Sequence, residues 1–459
     1  MLDQVTISLT LELTSALHTG TGEFKTLGEL RPGWPGIEDD KKSSLVATLA
    51  RDHQGNPYIQ GNPYIPSTTF KGCLRSACSE NGWPPDEIAS LFGVITDHDE
   101  ERGQMGSLLF GNGWLVGGPT SDDLKLPFYS QDQASFIATR VAIDGQTGRA
   151  KDEALYKTEM IPPGLHFSFQ LTYLGDLKTG GKSSLSRLLG LLKHHGLNLG
   201  KGTAKGYGSL CLKSLDGVVC KTFDPDEFII QRSEENLPIA LFQPASSSSL
   251  AKILDLTCQG PFLVMDPYRQ PSAEVEDQQQ RKNILSPELI RENEPHLPAT
   301  SLMGVLRSRL DWLVQLKALR DEQTVEPDDP CKVLKADEEP RALGPTERLF
   351  GVTGWRGLVR INSLTLLDCG QEVSAPRVAL DRFTCGPVDG ALFFTKAFMG
   401  VKYRLELGLE DRAGYGADNQ GDKEHFQELI SSLITDGLRL GHGGNHGYGW
   451  FQVEEVGNA

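Results

Sequence analysis

The chain has 459 residues, room for two or three ordinary domains and a sizeable buried core. It carries 45 Lys and Arg against 61 Asp and Glu, a formal net charge of −16; this excludes a histone-like polycation but not nucleic-acid binding through a local basic patch. With 38% hydrophobic and 23% charged residues it reads as globular, and no apolar run approaches the ~18–20 residues that cross a bilayer, so no membrane partner is expected.

In chain order, the N-terminal stretch VTISLTLEL (5–13) alternates polar with apolar residues, which predicts a strand and not a signal peptide. A long loop follows, with Glu38, Asp39 and Asp40. After PSTT (66–69) the period changes: Phe70, Leu74 and Ala77 recur at helical spacing, and the Ser and Thr residues before them are expected as N-caps. RVAIDGQTGRAKDEALY (140–156) pairs two β-rich stretches across a Gly/Asp/Thr turn and predicts an exposed hairpin. LHFSFQLTYL (165–174) is a further strand and SLSRLLGLLKHHG (184–196) a second helix closed by glycine. LGKGTAKGYG (199–208) is a glycine turn into a last strand, SLCLKSL.

The series then starts again. ILDLTCQGPFLV (253–264) is strand-like, and Asp266, Glu274, Glu276 and Asp277 lie in the loop behind it. PATSLMGVLRS (298–308) matches PSTTFKGCLRS (66–76) at six of eleven positions. Leu91-Phe92-Gly93 recurs as Leu349-Phe350-Gly351, RVAIDGQTG as RVALDRFTC (377–385), and LGKGTAKGYG as LGHGGNHGYG (440–449). Four blocks in one order argue for duplication. We place repeat 1 at 1–220, a linker at 221–250 around the Pro/Ser-rich QPASSSSLA (243–251), and repeat 2 at 251–459. The acidic 322–340 stretch is expected as a surface insertion. Each repeat approximates a βαββαβ unit, so the expected class is α+β: two tandem ferredoxin-like domains, a plan shared with RNA-recognition domains, with inserted hairpins and loops.

Three features could carry chemistry. A helix start offers free N–H groups to phosphate; Ser67, Thr68 and Thr69 add hydroxyls, and Lys71 and Arg75 share a helix face. Repeat 2 has Thr300, Ser301 and Arg307 there, with Met303 in place of Lys71. The plainer alternative is a capped helix with a solvated Arg. The glycine loops, Gly200, Lys201, Gly202, Lys205 and Gly206 against His442, Gly443 and His446, permit close approach of a nucleic-acid backbone, or form only a tight turn. They lack the order of a dinucleotide fingerprint or a P-loop. Arg140, Arg149, Lys151, Arg377 and Arg382 would make the hairpins basic. The eight cysteines are scattered without a C-x-x-C pair, which argues against a disulfide framework or zinc knuckle and for a reducing cytoplasm.

The combination of P-Y-I-P-S-T-T-F-K-G-x-L-R-S, L-F-G, R-V-A-I-D-x-x-T-G and a loop ending G-Y-G resembles the RAMP superfamily. More narrowly, it is similar to the backbone subunit lining the guide RNA of type III CRISPR effector complexes, here as a tandem fusion. The resemblance implies that helix starts and glycine loops hold guide-RNA phosphates and that the hairpins are thumbs displacing nucleotides of the guide–target duplex. The implied partners are guide RNA, complementary single-stranded target RNA and other effector subunits. It also implies cutting of target RNA by a loop carboxylate with a divalent metal, Mg or Mn, and no organic cofactor. Asp40 and Asp277 are the favoured acids, with Asp39 and Asp266 behind them. The family's usual position, five residues before an Arg, holds Val46 and Ser286 if Arg51 and Arg291 are the matching arginines. A stand-alone nuclease processing guide precursors, with His18 as acid/base, and a non-catalytic scaffold are the alternatives.

Overall fold

The computed structural model describes residues 3–34, 45–52, 61–94, 103–118, 124–143, 150–224, 229–234, 237–241, 250–266, 284–322, 324–329, 332–335, 338–410 and 419–456. The elements of repeat 1 are β1 (Asp3–Leu13), β2 (Leu45–Leu49), α1 (Ser67–Glu80), α2 (Pro85–Phe92), β3 (Gly113–Gly117), β4 (Phe136–Ile143), β5 (Ala150–Met160), β6 (His166–Gly175), α3 (Lys182–His194) and β7 (Ser209–Asp224). Those of repeat 2 are β8 (Leu250–Cys258), β9 (Ile284–Leu285), α4 (Ala299–Arg320), α5 (Pro345–Phe350), β10 (Val359–Asp368), β11 (Gln371–Leu380), β12 (Pro387–Met399), β13 (Lys402–Leu409), α6 (Asn419–Asp436) and β14 (Trp450–Glu455).

Strict alternation in β1 sends Val5, Ile7, Leu9, Leu11 and Leu13 to one face, and all five are fully buried. β1 pairs antiparallel with β6 on one side and β7 on the other, and β3 lies beyond β6. β8 repeats the arrangement: it pairs antiparallel with β13 and β14, and β10 lies beyond β13. Helices α1 and α3 cover the first sheet with Phe70, Leu74, Leu188 and Leu192; α4 and α6 cover the second with Leu302, Leu306, Phe426 and Leu429. The two sheets therefore have separate cores.

Each repeat also carries a projecting hairpin, β4–β5 in repeat 1 and β11–β12 in repeat 2. In both, the strand from the loop behind the first strand joins the hairpin's second arm in parallel, Val46 opposite Lys157 and Ile284 opposite Phe394. The duplication thus extends to the hairpin's root.

Three local expectations change. The α1 and α4 N-caps are Pro66 and Pro298, with no side-chain cap; Ser67 lies inside the helix and its N–H is taken by Asn112 Oδ1 at 2.9 Å. α6 begins at Asn419, seven residues earlier than the apolar pattern, because the buried Asp422 is held by Arg348 Nε at 2.9 Å. The segment read as a linker begins as structure: β7 runs to Asp224, Ile229–Glu234 pairs with it, and Ala240 donates its N–H to Ser186 O across α3. Residues 242–249 lie outside the described residues.

Candidate nucleic-acid interface

The two glycine loops share one backbone. Gly202 and Gly206 are left-handed (φ 84° and 76°) around a 3-10 turn, Thr203–Lys205; Gly443 and Gly447 (φ 79° and 82°) bracket Gly444–His446 in the same way. Gly208 and Gly449 donate N–H bonds back to Ala16 O and Pro261 O, and a Cβ at either would stand 1.8 Å from the carbonyl of Leu199 or Leu440. Only glycine fits there. The loops leave Lys201 and Lys205 exposed in repeat 1, and His442 and His446 exposed in repeat 2. Partial burial, then the charges of Lys201 and Arg307, hold the Lys205 ammonium below the usual lysine range. Partial burial, then His446 and Arg377, likewise lower His442.

The helix starts are less open than expected. Thr68 is exposed, while Ser67, Thr69 and Lys71 are half-buried, as are Thr300 and Ser301. The paired arginines are turned inward at one nitrogen. Arg75 Nη1 donates to Gly93 O at 2.9 Å and Arg307 Nη1 to Gly351 O at 2.7 Å, tying each helix to its L-F-G turn. Arg75 is otherwise exposed. Arg307 is clamped by both carboxylate oxygens of Asp328 at 2.6 Å, so 324–329 of the insertion folds back over it. A bidentate pair of this kind leaves little charge for phosphate.

The hairpin arginines also divide. Arg140 reaches out of repeat 1 to Glu288 of repeat 2 (Nη2–Oε1 3.3 Å), and His296 Nδ1 lies 2.7 Å from the same oxygen. Burial pushes the Glu288 carboxyl up, but Arg140 and His296 outweigh it and hold it at about 2. Arg377 lies over the Tyr448 ring, 4.5 Å from its centroid. Arg382 is exposed at the tip of its hairpin, and Arg149 lies outside the described residues.

Sequence reasoning missed this joint between the repeats. Lys125 N–H donates to Ile290 O at 2.8 Å, Ile290 packs beside Leu126, Phe136, Tyr129 and Tyr207, and Tyr207 OH lies 3.5 Å from Thr300 Oγ1. The first glycine loop is thereby brought against the second helix start. A signal was present in the Tyr of each G-Y-G, but nothing in the chain marked Glu288 as its neighbour. Also unforeseen was Glu159, fully buried at the first hairpin's root between Arg51, Ser135 and the Leu49 N–H.

Of the acids singled out, Asp39, Asp40 and Asp277 lie outside the described residues, and Asp266 is buried with its N–H on Ser286 O. Val46 is fully buried in β2, and Ser286 is 5% exposed. The pairing registers Arg51 with Leu289, since each faces a proline, Pro63 or Pro295; Arg291 is not its counterpart. Among the described residues no three His, Cys, Asp or Glu side chains gather as a metal site. His18 is buried beneath the first loop, Nδ1 2.7 Å from Glu159 O, and burial lowers its pKa. Leu263 occupies the corresponding place in repeat 2, accepting from His442 N as His18 O accepts from Lys201 N. No described helix is long and apolar enough to cross a membrane.

A family model described as the RAMP superfamily matches residues 10–211 and 281–452. No curated protein matches the chain.

Proposed function

The chain belongs to the RAMP superfamily as two tandem copies, and on that premise we propose that it is a guide-RNA-binding backbone subunit of a type III CRISPR effector complex. The observation that carries this reading is the pair of glycine loops with matching backbone, each opening main chain and a cationic or imidazole side chain to one edge of its sheet. Such an edge suits phosphates, which need close approach and positive charge and no base-specific contact. The strand order common to both repeats supports the expected ferredoxin-like plan, the framework on which RNA-recognition domains present RNA. An acidic chain with a narrow basic edge should bind RNA with strong salt dependence. The test is extraction and sequencing of RNA that co-purifies with the tagged chain: guide-derived RNA supports the reading, and its absence from an intact complex contradicts it. Cutting of a hairpin guide precursor by the lone chain would favour the processing nuclease instead.

For target cutting we propose Asp40 in repeat 1 and Asp277 in repeat 2, each serving one cut with a divalent ion. Asp40→Ala and Asp277→Ala, made separately in the reconstituted complex, should each abolish one target-RNA cut and leave binding intact. A scaffold without cutting is the second reading. It is favoured by Val46, buried and not acidic, where the resemblance expects the acid of repeat 1. Unchanged cutting in both variants would support it.

A further inference from the structure

The joint between the repeats is made by the glycine loop and hairpin arginine of repeat 1, and repeat 2 owns a second copy of that face. In repeat 1 the face is full. Gly206 lies against β10, where a Cβ would come 3.0 Å from Ile361 Cγ2, and Arg140, beside Tyr207, holds Glu288. In repeat 2 the same parts are open. A Cβ at Gly447 would meet nothing within 4 Å, and Arg377, stacked on Tyr448, faces no carboxylate among the described residues. Phe393, paired opposite Arg377 on the other arm of the hairpin, is exposed on the same face. A half-buried guanidinium on an apolar face with its counter-charge lacking is the signature of half an interface.

The candidate nearest to hand, a second copy of this chain, is a poor match. The place of Glu288 is taken in repeat 1 by Ala50: its N–H goes to Thr19 O and its O accepts from Tyr64 N, as Glu288 N–H goes to Val264 O and its O accepts from His296 N. The place of Arg360, which pairs with Glu80 across the joint at 3.4 Å, is taken by Leu109, since both lie opposite corresponding residues of β6 and β13. Copies with a net charge of −16 also repel.

We propose that the open end of repeat 2 receives a RAMP-type repeat of a different chain, one that carries a carboxylate at the position of Glu288, and that Ala50 bars a second copy from that seat. The closed joint inside the chain serves as the template for the contact, which is protein–protein and independent of RNA binding. Specificity of this kind rests on a missing partner as much as on a present one.

The test supplies the missing carboxylate on a chain whose own socket is blocked. An Ala50→Glu, Arg377→Glu double variant is mixed with the wild-type chain without RNA, and mass is followed by sedimentation velocity. The expected result is a monomeric wild type that forms a one-to-one complex with the double variant, weakened about tenfold or more when the wild-type partner also carries Arg377→Glu. Ala50 is 8% exposed, so Ala50→Asp is prepared alongside, and circular dichroism confirms that the chain used is folded. Self-association of the wild type through this face would overturn the selection. Two folded chains that stay apart, or a complex indifferent to Arg377, would overturn the socket. Arg377→Glu that instead lowers affinity for a single-stranded RNA, with no protein complex formed, would assign Arg377 to phosphate and also overturn it.

Discussion

The two halves of this molecule share a backbone and differ in several of the charges placed on it. The first hairpin is rooted on Glu159, fully buried between arginines; the corresponding residue of the second hairpin, by the pairing of Thr158 and Thr395 with equivalent strands, is Lys396, which makes a surface pair with Glu372 at 3.5 Å. The first glycine loop carries lysines and is docked; the second carries histidines and is open. Duplication has therefore kept what geometry demands, the left-handed glycines and the Arg-to-carbonyl tie of each L-F-G turn. The charges have changed according to what each half touches.

The largest contrast to test is at the hairpin roots. Glu159→Ala leaves Arg31 and Arg51 facing each other without their carboxylate and should cost roughly 3–5 kcal/mol, whereas Lys396→Ala should cost about 0–1 kcal/mol. Urea unfolding of the two variants measures both, and equal losses would break the comparison.

The paired arginines come next. Arg140→Ala strands a buried Glu288 and should cost about 2–5 kcal/mol in docking of the repeats, while Arg377→Ala should hardly change stability. Glu288 is ordinarily near 4.5 and is held at about 2 in the folded chain, so its contribution is complete above 4.5 and is lost as pH falls toward 2. Acid unfolding in that window should flatten in Glu288→Gln. A profile unchanged by the substitution would show that the joint does not depend on this carboxylate.

A smaller difference separates two glycines of the same conformation. Gly206→Ala and Gly447→Ala each meet a left-handed backbone cost of about 1–2 kcal/mol, and Gly206→Ala adds the close contact with Ile361. Thermal unfolding should rank Gly206→Ala as the more damaging. The smallest effect is on RNA. Lys201→Ala with Lys205→Ala should lower the slope of log affinity against log salt by about 0.7 per lost phosphate contact on a single strand. His442→Ala should leave the slope nearly unchanged at neutral pH, because burial, then His446 and Arg377, lower the pKa of His442.

Much of this plan was legible in the residues. Alternation in β1 and β8, the helical period after each proline, and the spaced glycines report local geometry, and local geometry is what periodicity encodes. The boundaries that slipped did so for tertiary reasons: α6 extends over NQGDKEH because Asp422 finds Arg348, and Ser67 is no cap because Asn112, far along the chain, takes its N–H. The candidate RNA contacts were readable as residue types but not as occupied or free. Arg307 and Arg140 look alike in the sequence, and only folding shows that Asp328 and Glu288 already hold them. Asp39, Asp40 and Asp277 fall outside the described residues.

The most direct measurement is ultraviolet cross-linking of the chain, within its assembled complex, to the RNA it carries, with peptides mapped by mass spectrometry. A guide strand lying along both repeats should give adducts in 199–208 and in 440–449, on separated nucleotides of that one strand. Adducts confined to one loop, or lying elsewhere on both repeats, would contradict a paired grip by the two loops.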